Sequence, residues 1–81
     1  MVLAHLHRID PAANMARFYS IDLAPTLFGE VTVLRCWGRI GTHGRTIFET
    51  WPNTIDAEAA ANCTLRQKLR RGYGPANSSR G

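Results

Sequence analysis

The sequence predicts an α+β domain: an antiparallel sheet of four to five strands with one C-terminal helix packed on one face. Three observations carry this. Several stretches alternate apolar and polar residues with the period of two that half-buried strands show. The links between them are short and built from Pro, Gly, Asn and Asp, and short links join neighbouring strands antiparallel. One long segment after Asn53 then runs without Gly or Pro as far as Gly72, which is the grammar of a single helix.

The elements follow in order. Val2 to Ile9 reads as a strand of uncertain facing, with Leu3, His5, His7 and Ile9 on one side and Ala4, Leu6 and Arg8 on the other. Asp10 to Asn14, "DPAAN", is a turn in which Pro11 presets φ. Arg17 to Leu23 is a clearer strand, setting Tyr19, Ile21 and Leu23 against Phe18, Ser20 and Asp22. "APTLFG" interrupts through Pro25 and Gly29. Glu30 to Ile40 is rich in β-branched and aromatic residues and forms the next strand. "GTHG" turns it into Arg45 to Trp51, which Pro52 stops. Asn53 caps the helix with Asp56 three residues on, close to a capping box. Ala57, Ala61, Leu65 and Leu69 mark its sheet-facing line, and Gly72 ends it beyond Arg70 and Arg71. Expected core residues are Trp51, Tyr19, Ile21 and one of Ile47 or Phe48. The domain is expected over residues 1–73, with a flexible tail over 74–81.

A chain of 81 residues makes one domain that buries roughly 60% of its unfolded surface, too little for a deep catalytic cleft. No segment is apolar enough to cross a membrane, and His5, His7 and Arg8 break up any secretory leader, so the expected location is the cytoplasm. Cys36 and Cys63 lack metal or redox spacing and read as free thiols. His5 and His7 share a face, but no further ligand at diagnostic spacing completes a metal site. No nucleophile, base and orienting acid form a recognisable set, so neither enzymatic activity nor a cofactor is expected.

Charge points to an acidic partner. The net charge is +4, and its distribution is uneven: five arginines face six acids up to Glu58, whereas Arg66, Lys68, Arg70, Arg71 and Arg80 face no acid after it. All but one of the cations are Arg, whose planar fork suits phosphate. Arg66 and Arg70, four apart, share a helix face.

The segment "CWGRIGTHGRT", Cys36 to Thr46, concentrates three glycines with Trp37, Arg39 and Arg45. A phosphate-binding glycine loop would open a helix. Here a strand follows, so these glycines serve a hairpin. By alternation Trp37 shares a face with Val31 and Val33, which favours burial, although a bulge at Gly38 would re-aim it.

Trp37, Gly38 and Arg39, placed between a β-rich segment and an "xDAxxAA" helix, resemble the WGR domain found in poly(ADP-ribose) polymerases and in bacterial proteins. The likeness runs from "LHRIDPAANMARFY" to "KLRRGYG" and is nearest the small stand-alone bacterial form. It implies a sheet-plus-helix fold and, as in the polymerases, binding at DNA ends or breaks. Trp37 would pack on a terminal sugar, which favours its exposure. Gly38 would allow close approach, and Arg39 would contact DNA or a neighbouring domain. Arg45, Arg66, Lys68, Arg70 and Arg71 complete the expected nucleic-acid-binding set. The other reading is a protein-interaction module of a bacterial complex, docking through the same Trp37 and Arg39 surface.

Overall fold

A computed structural model describes residues 2–76. Five strands form one antiparallel sheet: β1 Val2–Asp10, β2 Met15–Pro25, β3 Val31–Arg39, β4 Arg45–Trp51 and, after helix α1 Thr54–Arg70, β5 Gly74–Pro75. Their order across the sheet is β4-β3-β2-β1-β5. The α+β class expected from the pattern is therefore the one observed. The short strand β5 lies in the stretch read as tail, where Gly74 pairs with His7 and Pro75 with Leu6. Residues 77–81 of that stretch lie outside the described residues.

The alternating pattern becomes two unlike sheet faces. Tyr19, Ile21 and Leu23 of β2 join Leu6 of β1 and Val31 and Val33 of β3 under the helix. Ile21 and Val33 are fully buried, and burying a side chain of that size contributes about 1.5–3 kcal/mol. The uncertain facing of β1 is settled by register: Leu6 opposes Tyr19 and turns inward, so His5 and His7 lie on the bare side. Their rings meet edge to face at 5.4 Å. Cys36 and Cys63 are free thiols.

Helix α1 starts where the cap predicts, with the Asp56 amide donating to Asn53 Oδ1 at 2.8 Å. Ala57 and Ala61 are buried completely, so the slim half of the helix lies close on the sheet. Leu65 is half-buried and packs against the core. Leu69, the last of the expected line, is exposed, because the helix passes beyond the β2–β3 core there.

The expectation that Ile47 or Phe48 enters the core is not met. Ile47 is 45% and Phe48 68% exposed. Strand β4 is at the sheet edge, and Phe48, opposite Leu34, points to the side without a helix. Trp51 is half-buried and packs against the core instead. Among the described residues no helix is long and apolar enough to cross a membrane.

Candidate nucleic-acid interface

Strand register assembles the site. Directly opposed residues of an antiparallel pair share a face. Tyr19 opposes Trp37, and Trp37 opposes Arg45, so the three form one row across β2, β3 and β4 on the helix side. Arg8 opposes Arg17, and Arg17 opposes Arg39, which makes a second row one same-face step away. Four arginines far apart in sequence thus lie in two adjoining rows at the Trp37 end of the sheet. Among the described residues the nearby acids are few: Glu49 is held in an ion pair with Arg35, and Asp10 lies a step beyond Arg8 at the end of β1.

The end of the helix supplies the rest. Gly72, at φ +99°, closes a Schellman turn in which the Tyr73 amide donates to the Lys68 carbonyl at 3.1 Å and the Gly72 amide to that of Leu69 at 3.2 Å. The turn swings Tyr73 back against the sheet, edge to face with Tyr19 at 6.3 Å. Lys68 Nζ sits 4.7 Å from the centre of the Tyr19 ring, within cation–π range. A Cβ on Gly72 would come 3.4 Å from Arg8 Nε, so the first arginine of the row passes beside the helix terminus.

Trp37 is neither core nor free platform. Its ring stacks on Tyr19 at 6.0 Å with 16° between planes, and it packs at the margin of the core, half-buried. The bulge considered at Gly38 is absent: β2 and β3 stay in register from Val31 to Arg39. Regular alternation therefore keeps Trp37 on the helix side, at the end of the sheet the helix leaves open. A cleft of about 210 Å³ remains there, lined by Tyr19, Arg35, Trp37, Ile47 and Lys68. Among the described residues Arg35 Nε is buried without a hydrogen-bond partner.

Burial lowers the Lys68 pKa from its ordinary value, and the Arg71 guanidinium lowers it further. Burial raises that of the Tyr19 phenol, outweighing the opposite pull of Arg35. The cleft thus disfavours an added uncompensated cation and has charge to offer an anion.

Of the residues singled out in the sequence, Trp37, Arg39, Arg45 and Lys68 come together, with Arg71 as the adjoining helix cap. Gly38 faces the other side, where a Cβ would lie 2.7 Å from the Gly44 Cα. Its lack of a side chain serves the hairpin. Arg66 and Arg70 are exposed and, by the 3.6-residue period, stand away from the buried line of Ala57 and Ala61. Arg8, Arg17, Arg35, Tyr19 and Tyr73 were not singled out as site residues. The structure sets two of them opposite each other: Arg8 and Arg17 each stand two residues from the Asp10–Met15 pair that closes the first hairpin.

The chain is similar to the uncharacterized protein y4dW of Sinorhizobium fredii (strain NBRC 101917 / NGR234), 44% identical over 71 residues. The match covers 88% of this chain and 35% of that protein, so the chain spans about a third of its relative's length. No solved structure matches. The WGR domain model matches residues 2–80, nearly the whole chain, and this protein belongs to the WGR domain family.

Proposed function

We propose that this WGR domain, of a type that in general binds nucleic acid, is a cytoplasmic module that recognises DNA ends or breaks through sugar and phosphate contacts, without catalytic activity. The observation that carries the reading is the half-buried Trp37 edged by Arg45, Lys68 and the Arg8–Arg17–Arg39 row. An indole offers apolar contact to a deoxyribose, and guanidinium forks bind phosphate oxygens bidentately. Neither contact reads a base edge, so sequence preference is not expected. Inside a duplex each sugar is flanked on both sides. A terminal sugar leaves one side free for the ring.

The test compares blunt, nicked and intact circular DNA at two salt concentrations. Ends and nicks are expected to bind more tightly than circles, and Trp37→Ala is expected to reduce that preference roughly tenfold or more while circular dichroism shows the fold retained. Equal affinity for ends and circles removes end recognition. No affinity for any DNA removes the proposal and leaves a protein partner for the same surface, whose capture would resist nuclease and moderate salt.

A further inference from the structure

The two edges of the sheet are unlike. Strand β5 is two residues long and includes Pro75, which has no amide hydrogen, so this edge is blunted against further pairing. Strand β4 is seven residues long, "RTIFETW", and pairs with β3 in unbroken register. It has no proline and no lysine, and all but its last residue are exposed. Its outer row of amides and carbonyls is a template for one more strand.

We propose that this strand is a second copy of β4, antiparallel and centred on Phe48, which joins two five-stranded sheets into one of ten strands. A two-fold axis between antiparallel strands passes through a residue position, and Phe48 is the middle of Arg45–Trp51. Centring on Ile47 or Glu49 leaves one end of the strand unpaired, and centring on Glu49 also opposes like charges.

The side chains fit this register. Arg45 meets Trp51 of the partner subunit, and since Trp37 is its neighbour within the chain, the guanidinium lies between two indoles. Thr46 meets Thr50 of the partner subunit, repeating the hydroxyl pair that Thr32 and Thr50 make at 3.0 Å. Ile47 meets Glu49 of the partner subunit, and the diagonal neighbours Arg45 and Glu49 of the partner subunit have opposite charge. On the bare face, Phe48 meets Phe48 of the partner subunit. With Leu34 beside each, they form a continuous apolar row that covers a ring otherwise 68% exposed. Nowhere does a charge oppose its like.

The axis runs perpendicular to the sheet, so both helices and both Trp37 clefts lie on the same side. With strands about 4.8 Å apart and about 3.4 Å per residue, the two Trp37 Cα atoms lie about 25 Å from each other. The dimer does not depend on the nucleic-acid reading.

The experiment is sedimentation equilibrium of the 81-residue chain from about 1 μM to about 1 mM, with hydrogen exchange read at the two extremes. Wild type is expected to pass from monomer to dimer, with β4 amides slowing on concentration and α1 amides unchanged. Phe48→Lys, which sets like charges on the axis, is expected to raise the midpoint at least tenfold. Phe28→Lys adds the same charge at the 86% exposed β2–β3 turn and is expected to leave the midpoint in place. A wild-type chain that stays monomeric, association without slowed β4 exchange, or a folded Phe48→Lys that dimerises like wild type overturns the proposal. Loss of DNA binding alone leaves it standing.

Discussion

Lys68 is the single lysine of a chain whose other cations are all arginine, and it stands over the Tyr19 ring in the cleft beside Trp37. Its pKa is lowered in the free protein by burial and by Arg71. Between that lowered value and the ordinary 10.5, the unfolded chain holds a proton that the folded chain has released, so the Lys68 contribution to stability rises with pH across this window. Tyr19 runs the other way. Its raised pKa contributes stability that is fully present below 10.0 and is lost as pH climbs through the folded value. A phosphate in the cleft favours the charged lysine, so DNA binding inside the Lys68 window is expected to take up a proton and to weaken as pH rises. Titration calorimetry in two buffers of different ionisation enthalpy reads this directly. The binding heat should depend on the buffer for wild type and should not for Lys68→Arg. A buffer-independent heat for wild type would mean that no phosphate reaches Lys68.

The β3–β4 hairpin shows what the glycines of "WGRIGTHG" do. Gly44 has φ +70° and an ideal Cβ there would lie 2.2 Å from the Trp37 carbonyl oxygen, while one on Gly38 would lie 2.7 Å from the Gly44 Cα. The two backbones touch where β3 turns back. Gly38→Ala and Gly44→Ala are each expected to destabilise the fold by about 2–4 kcal/mol in chemical denaturation. Gly29→Ala, at φ +84° with open space around it, should lose only about 1–2 kcal/mol. Equal losses at Gly29 and Gly44 would reduce the effect to φ alone. Elements of this kind were legible in the sequence because their signals are local: period two for β2 and β3, the Asn53 cap, the Gly72 stop. Alternation also placed Trp37 on the correct face. It could not tell how far along that face the helix reaches, so Trp37 stood open between core and platform, and the structure gives it a place between the two. Ile47 and Phe48 misled for a related reason: an edge strand carries the same pattern as an inner one, and only the sheet order exposes it.

At the scale of the whole molecule the fold regroups charge. Along the chain the positive excess lies wholly after Glu58, and a reading by segment places nucleic acid on the helix. Pairing instead gathers Arg8, Arg17, Arg39 and Arg45 from the nearly neutral part into two adjoining rows on the helix side of the sheet, with Lys68 in the cleft beside Trp37, while Arg66 and Arg70 stay on the outer helix surface. These two groupings predict different salt behaviour. Each phosphate contact releases condensed counterions, with a slope of about −0.9 in log K against log salt per contact on B-form DNA. Five cations around Trp37 then give a slope of about −4 to −5. Arg17→Ala, outside the tripeptide and absent from any sequence-based site, should make that slope shallower by about 1. Arg66→Ala should leave it unchanged. If Arg66→Ala flattens the slope and Arg17→Ala does not, nucleic acid lies along the helix and the arginine row is a solvated sheet end, so the pair of variants decides which surface the domain uses.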